Sequence, residues 1–219
     1  MWKGAIAWRK VPTMIQTLGN VLMRHKSKAE TDYGRLIRSE VYALWSGVTD
    51  MFTFVDNLST LTYRFLTEAW NEGMKECGIA PEEMTPGERF ALVQILTEQY
   101  TYIVSYGNDI VNGSKVNGGK LTPLNKRAQM WANRYQATRS QAMQMACGDK
   151  KLKWVRGATS DPCRDCLNMN GRVYRASIWA KYDIKPRSHD LNCRGFKCLC
   201  FFQATDDKVT PGRPPALIG

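Results

Sequence analysis

The hydrophobic positions divide the chain into a helical first part and a last part that ends in short strands. Between residues 33 and 77, Val41, Leu44, Trp45, Val48, Phe52, Val55, Leu58, Phe65, Leu66, Ala69 and Met74 recur at spacings of three and four, the repeat of one helix face. The pattern predicts one long helix, or two in line, bending at Ser46–Thr49 or near Thr60, where weak helix formers gather. Gly73 and Gly78 predict fraying at its end, and Pro81 stops it. Thr85-Pro-Gly-Glu88 then supplies an N-cap threonine, a proline at the first helical position and a glutamate at N3. Phe90, Val93, Leu96, Tyr100, Ile103 and Val104 mark one face of the helix that follows, to about Gly107. An antiparallel pair across the Pro81 turn is expected.

Residues 112–121, rich in glycine and asparagine, break the pattern and read as a linker. Thr122 and Pro123 begin another helix, Gly148 follows its end, and Lys126, Arg127, Arg134 and Arg139 fall mostly on its polar side. After Gly148 the repeat shortens to two. Lys151–Arg156, Arg172–Arg175 and Leu199–Gln203 read as strands, with one helical turn carrying Trp179. Residues 1–30 read as a basic, aromatic arm with a short helix from about Ile15 to His25. Residues 205–219, with Pro211, Pro214 and Pro215, read as an extended tail, mobile unless a neighbour holds it. The fold class is α+β: a long-helix hairpin (31–111), then a helix and a small β-rich module (122–204).

Composition narrows the class. A chain of 219 residues with 43% hydrophobic residues can bury a core in one or two domains. No apolar run reaches the roughly 18 residues of a membrane span. The first residues lack the apolar core and cleavage site of a secretory signal, so a reducing compartment is expected. The formal charge of +11 is unevenly placed. Residues 1–28 carry six Lys/Arg and no acid, residues 29–114 five against thirteen, and residues 115–219 twenty against seven. The basic last part favours a polyanion, most simply nucleic acid, and the acidic part is free to meet protein. Lys150, Lys151, Lys153, Arg156, Arg172 and Arg175 crowd the first strands and are the candidate nucleic-acid contacts.

Five of the seven cysteines fall in one stretch, as Cys163-Arg-Asp-Cys166 and Cys193-Arg-Gly-Phe-Lys-Cys198-Leu-Cys200. A C-x-x-C knuckle lets the chain turn so that both sulfurs face one ion at about 2.3 Å, and a distant cluster completes a tetrahedron. Cys163, Cys166, Cys193 and one of Cys198 or Cys200 are therefore expected to bind a structural Zn²⁺. The alternative is disulfides or inert thiols, which a reducing compartment and an odd count disfavour. Three short strands make a small core, and such a module needs a staple, which metal binding would provide. His189 is a possible substitute ligand. Asp161 and Asp165 flank the knuckle and are expected to turn the chain. Cys77 and Cys147, near predicted helix ends, read as small, half-buried hydrophobes.

Enzymatic readings find little support. The chain has no phosphate-binding, dinucleotide-binding, zinc-protease or nucleophile-elbow motif, and neither His25 nor His189 begins the His-x-Glu of a zinc deaminase. A centre saturated by four thiolates leaves no position for a reacting water, so no catalysis is expected.

The residues Trp154-Val-Arg-Gly-Ala-Thr-Ser-Asp-Pro-Cys163-Arg-Asp-Cys166-Leu-Asn-Met-Asn-Gly171-Arg-Val-Tyr174, then Trp179, Pro186 and Leu191-Asn-Cys193-Arg-Gly-Phe-Lys-Cys198-Leu-Cys200, carry a resemblance. They resemble the tailed-phage head morphogenesis family, which includes the phage Mu F-like minor head proteins. The family pattern is a Trp strand, an Asp, C-x-x-C, a Leu-x-Gly turn, a Pro and a terminal H-x-x-C-x-C. Here Cys193 stands where the histidine is expected, with His189 nearby, and Gln141 stands where a glutamate is common. The match spans roughly residues 122–203. The resemblance implies a structural, non-catalytic minor head protein inside the capsid of the virion, assembled in the host cytoplasm. Its implied partners are the portal protein, the major capsid protein and packaged double-stranded DNA. The rival reading is a zinc-containing nucleic-acid-binding regulator, which requires base readout beyond phosphate contact.

Overall fold

The computed structural model describes residues 27–218 apart from 158, 160, 196 and 197. The arm up to residue 26, with its predicted short helix, lies outside the described residues. The fold is α+β, with long helices first and a small antiparallel sheet after them. The long helices are α1 (Lys28–Ser46), α2 (Met51–Glu76), α3 (Pro86–Asn112) and α4 (Leu121–Ala146).

The stretch predicted as one helix, or two in line, is a hairpin. Gly47 ends α1 at φ +79°, a left-handed value that a Cβ disfavours. Asp50 then accepts the Thr53 N–H at 2.8 Å and opens α2. The chain doubles back, so Tyr33 stacks on Phe65 with centroids 5.0 Å apart and Asn57 donates to Glu40 at 2.9 Å. The predicted capping box opens α3: the Glu88 N–H donates to Thr85 Oγ1 at 3.3 Å and the Thr85 N–H to Glu88 Oε2 at 2.7 Å. Phe54 meets Tyr106 edge-on, so α3 runs antiparallel to α2 as expected.

The inward face of α3 is the predicted one in part: Leu96 and Ile103 turn inward as expected, and the rest of that set does not. Leu92, Leu96, Ile103, Tyr106 and Ile110 are buried, whereas Phe90, Val93, Tyr100 and Val104 are exposed. Both sets repeat at three and four, so periodicity alone does not choose between them. The buried set continues past Gly107, where the prediction stopped, to the helix end at Asn112.

Helix α4 begins at Leu121 with Lys120 as N-cap, two residues before the predicted cap Thr122. Its Ala128, Trp131, Tyr135 and Ala142 join the core of α1–α3. Residues 113–120 are thus a surface turn between two helices that share one core. Gly73 is a contact point and not a fraying point. A Cβ there would lie 2.5 Å from the Arg139 carbonyl oxygen and 2.8 Å from the Ala142 Cβ, so glycine lets α2 and α4 approach. Arg139 is also not on a polar face. It is fully buried, pairs with Glu76 and donates to the Phe202 carbonyl at 3.4 Å.

The same approach joins Cys77 and Cys147, expected as unpaired hydrophobes, in a disulfide with Cα atoms 5.1 Å apart. Both residues follow helix C-termini that the Gly73 contact brings side by side.

The module contains β1 (Lys151–Val155), α5 (Arg164–Met169), β2 (Val173–Arg175), α6 (Ala176–Lys181) and β3 (Phe201–Ala204). The sheet order is β2-β1-β3, antiparallel throughout. Leu152 and Trp154 of β1 point inward, where Trp154, Tyr174, Trp179 and Phe202 pack ring against ring. The Trp179 indole N–H is satisfied by the Leu152 carbonyl at 3.0 Å. Met143 and Cys147 carry the end of α4 into this second core. The tail is held by its own chain: the Thr210 N–H donates to the Val173 carbonyl at 2.8 Å and the Tyr174 hydroxyl to the Arg213 carbonyl at 3.2 Å. Among the described residues no helix is long and apolar enough to cross a membrane.

The disulfide closes a separation of 70 residues and ties the bundle to the start of the module. Replacing Cys147 with Ser should lower unfolding stability by roughly 4 kcal/mol on the chain-entropy account. Denaturant melts of variant and parent under non-reducing conditions test this, alongside a thiol count on denatured, unreduced protein. Five titratable thiols are expected of the seven cysteines; seven would remove the bridge.

Candidate metal centre

The first knuckle is built by a helix start. Cys163 is the N-cap of α5, and its sulfur accepts the Cys166 N–H at 3.4 Å. The cap points both sulfurs to the same side of the first turn. The second segment is fixed by Asp165, between the two knuckle cysteines and fully buried. Its carboxylate accepts the Asn192 N–H at 2.7 Å and the Ile218 N–H at 2.8 Å. One side chain therefore fastens the Cys193 loop and the tail to α5. Turning the chain was the favoured expectation for Asp165, with hydrogen bonding around the cysteines as its alternative, and hydrogen bonding is what it does. Gly157 completes the enclosure, since a Cβ there would run into the Leu199 carbonyl between Cys198 and Cys200.

The result is a single sulfur cluster. The sulfurs of Cys163, Cys166 and Cys193 lie within 4.8 Å of one another, as do those of Cys166, Cys198 and Cys200. Cys166 belongs to both groups, and its sulfur is 3.5 Å from that of Cys198. A thiolate tetrahedron with bonds of about 2.3 Å has edges of about 3.8 Å, and each group offers three sulfurs toward such a centre. The cluster can hold a metal ion. Cys166, Cys198 and Cys200 are buried, and Cys163 and Cys193 form the half-exposed mouth. His189 stands apart, its side chain 86% exposed and paired with Asp190 at 3.0 Å.

Protonation in the cluster is mutually dependent. Hydrogen bonds with Cys193, Cys198 and Cys200 push the Cys166 thiol far up. The hydrogen bond from Cys166 pulls Cys198 down and, with Cys198 assisting, holds Cys200 down to about 4. Burial raises Cys163. A proton on Cys166 thus allows negative charge on its neighbours. A cation in its place would let all the surrounding sulfurs ionise together.

Arg187, not singled out from the sequence, holds the cluster to the helices. Its Nε donates to the Cys200 carbonyl at 3.2 Å and its Nη1 to the Asn133 carbonyl of α4 at 3.1 Å. Glu30 of α1 lies 4.0 Å from its Nη2. Burial pulls the guanidinium below the ordinary arginine range, while Glu30 and the cysteine sulfurs oppose that shift. A lone arginine in a loop carries no sequence mark of this position.

The six candidate nucleic-acid contacts are not drawn into one recess. Lys151, Lys153 and Arg175 share the outer side of the sheet, with Lys151 opposite Arg175. Lys151 donates to the Asp206 and Asp207 carbonyls at 2.6 and 2.9 Å, and Lys153 pairs with Asp207 at 2.9 Å. Arg175 donates to the Asp149 carbonyl at 3.1 Å and Arg172 to the Asn168 carbonyl at 2.7 Å. Lys150 donates to the Cys77 carbonyl beside the disulfide. Arg156 is exposed just beyond β1.

Protein-family models, curated proteins and solved structures yield no match to this chain.

Cys166 is the sulfur whose loss should do most damage, because it belongs to both groups. Cys166→Ser should abolish metal binding and loosen the module, with loss of near-UV circular dichroism from the Trp154–Trp179–Phe202 cluster. Helical far-UV signal should largely persist, because the bundle has its own core. An unchanged melt and unchanged metal uptake would contradict the central role of this sulfur.

Proposed function

We propose that this chain is a structural minor head protein of a tailed phage, bound near the portal inside the capsid and contacting packaged DNA. Its C-terminal module is stapled by one structural Zn²⁺. The observation that carries the reading is the cysteine pattern. The motif that resembles the head morphogenesis family is also the motif whose sulfurs gather into two groups of three that share Cys166, groups able to hold a metal ion. Zinc fits an all-sulfur donor set in which no redox partner or open coordination position is needed. The ligands are Cys163, Cys166, Cys193 and Cys198. Cys198 has Cys166 and Cys193 as hydrogen-bonding neighbours and so links the two groups of sulfurs, whereas the sulfur neighbours of Cys200 are Cys166 and Cys198. A closed centre of this kind holds shape and performs no reaction, in keeping with a protein that acts by binding.

Metal content separates the ligand assignment from its rivals. Reduced protein purified without chelator should carry about one zinc per chain. Cys198→Ser should lose it, and Cys200→Ser should keep it with unchanged thiolate-to-cobalt absorption after Co²⁺ exchange. Loss in Cys200→Ser with retention in Cys198→Ser would reverse the fourth ligand, and a metal-free parent would remove the staple. The assembly role has its own test. Co-expressed with the portal and major capsid proteins of the same genome, the chain should co-sediment with head particles in a few copies each. Free protein at the top of the gradient would overturn the head assignment.

A further inference from the structure

The strongest unassigned feature is a recess between α4 and the loop at 187–195. It has a volume of about 190 Å³, and its lining includes Arg134, Arg187, His189 and Arg194. The rest of its wall is Met130, Asn133, Ala137 and Gly195, with no carboxylate among the described residues. Along α4 it adjoins a groove of about 330 Å³ that adds Lys185, Gln141 and one acid, Glu98.

We propose that this recess binds a phosphate of a nucleic-acid backbone, and that the adjoining groove follows the strand. The inference rests on the DNA-contacting part of the reading above and moves that contact from the sheet to α4.

Three observations favour it. First, the basic groups converge on a concavity. A cleft of one sign with low-dielectric walls focuses potential, whereas Lys151, Lys153 and Arg175 stand on an open sheet. Second, part of the site is held in place before any ligand arrives. Arg187 is buried, fixed by the Cys200 and Asn133 carbonyls and paired with Glu30, so it shapes the wall of the recess without a cost of ordering, and Arg134 and Arg194 supply the accessible charge. Third, the backbone is strained where the recess is made. Arg187 at φ +64° and Arg194 at φ +49° both adopt the left-handed region that bulky residues avoid. Such strain gathers at ligand sites because the surrounding structure must impose it. Gly195 allows the loop to close, since a Cβ there would lie 2.5 Å from the Arg187 carbonyl oxygen.

The buried Glu30 carboxylate lies 4.0 Å from Arg187 Nη2, and the carboxylates beside Arg134 and His189 sit at the edges. Arg134 pairs with Glu98 at 3.3 Å, with both side chains between 40% and 48% exposed. His189 pairs with Asp190 at 3.0 Å on the outside of the loop. Exposed pairs of this kind are weak and exchange readily for a phosphate. Arg194 makes no ion pair among the described residues.

The test is fluorescence anisotropy of the full, metal-loaded chain with a labelled random-sequence DNA duplex over a range of salt. The parent should bind with a steep salt dependence. Arg194→Glu should weaken binding on the order of tenfold at low salt and reduce the slope of log K against log salt by about 1. Combined Lys151→Gln and Lys153→Gln should change binding much less. Zinc content and near-UV circular dichroism verify that Arg194→Glu, beside Cys193, is folded. Arg134→Gln, on α4 and away from the cysteines, should weaken binding in the same direction and serves if it is not. A parent that does not bind DNA, or Arg134 and Arg194 variants that bind as the parent does, would overturn the inference. Co-sedimentation with heads in the absence of DNA affinity would sink this site and leave the head assignment standing. Recess-dependent DNA binding by a chain that ignores heads would do the opposite.

Discussion

The crowding of four sulfurs around that of Cys166 is the constraint on which the C-terminal half depends. Thiolates this close repel, and a buried group of them cannot all ionise without a cation. Kept as thiols they satisfy the repulsion, but they give up the strong bonds that would hold two distant segments together. The sheet is three short strands, too little core to hold long connections by packing alone. Asp165 shows how the chain prepares for closure. By binding the N–H groups of Asn192 and Ile218, it brings loop, tail and knuckle together. Metal binding would then act on a partly organised site, where less of its energy goes into ordering the chain.

Helix α4 carries this organisation into the bundle. Its first half completes the core of α1–α3 through Trp131 and Tyr135, and its last turns enter the aromatic core of the module through Met143 and Cys147. Two buried arginines cross the junction in opposite senses. Arg139 reaches from α4 to the Phe202 carbonyl, and Arg187 reaches from the module to the Asn133 carbonyl of α4. Burying a guanidinium is unfavourable unless carbonyls and carboxylates replace its water, and here they do. Such contacts add little net stability, but they tolerate few alternative arrangements. The bundle and the module are therefore set at one orientation. The disulfide, at the same junction, reinforces it covalently.

Sequence pattern revealed the elements better than their faces. The strands and the Thr85 capping box were legible because alternation and capping are local, needing only neighbours a few residues away. The hairpin at Gly47 was not, because a glycine before an N-cap aspartate reads equally as a bend until Tyr33 is seen against Phe65. On α3 the set Phe90, Val93, Tyr100, Val104 and the set Leu92, Ile103, Tyr106, Ile110 are both apolar and both helical in spacing. Only partners on α2 and α4 decide which turns inward. The knuckle spacing made the sulfur cluster legible, since two residues between cysteines limit where the sulfurs can point. Cys77 and Cys147, 70 residues apart, share no spacing rule, and nothing local marks them as a pair. Arg139 and Arg187 were hidden for the same reason: an arginine in a basic segment looks like any other until its carbonyl partners arrive from elsewhere.

The charge map changes meaning in three dimensions. Along the chain, an acidic segment at 29–114 precedes a basic one at 115–219, which suggests one surface for protein and another for polyanion. In the fold, α4 and the module lie against the acidic helices, and part of that charge is used within the molecule. Arg127 pairs with Asp109, Arg134 with Glu98, Arg139 with Glu76, and Arg187 with Glu30, each a basic residue of the second segment meeting an acid of the first. The asymmetry is thus first a means of docking α4 and the 187–195 loop onto the bundle. A total positive charge then says little about where a polyanion would sit. Position depends on which cations converge without acids between them, and that is a property of the folded loop, with its two left-handed arginines, more than of composition.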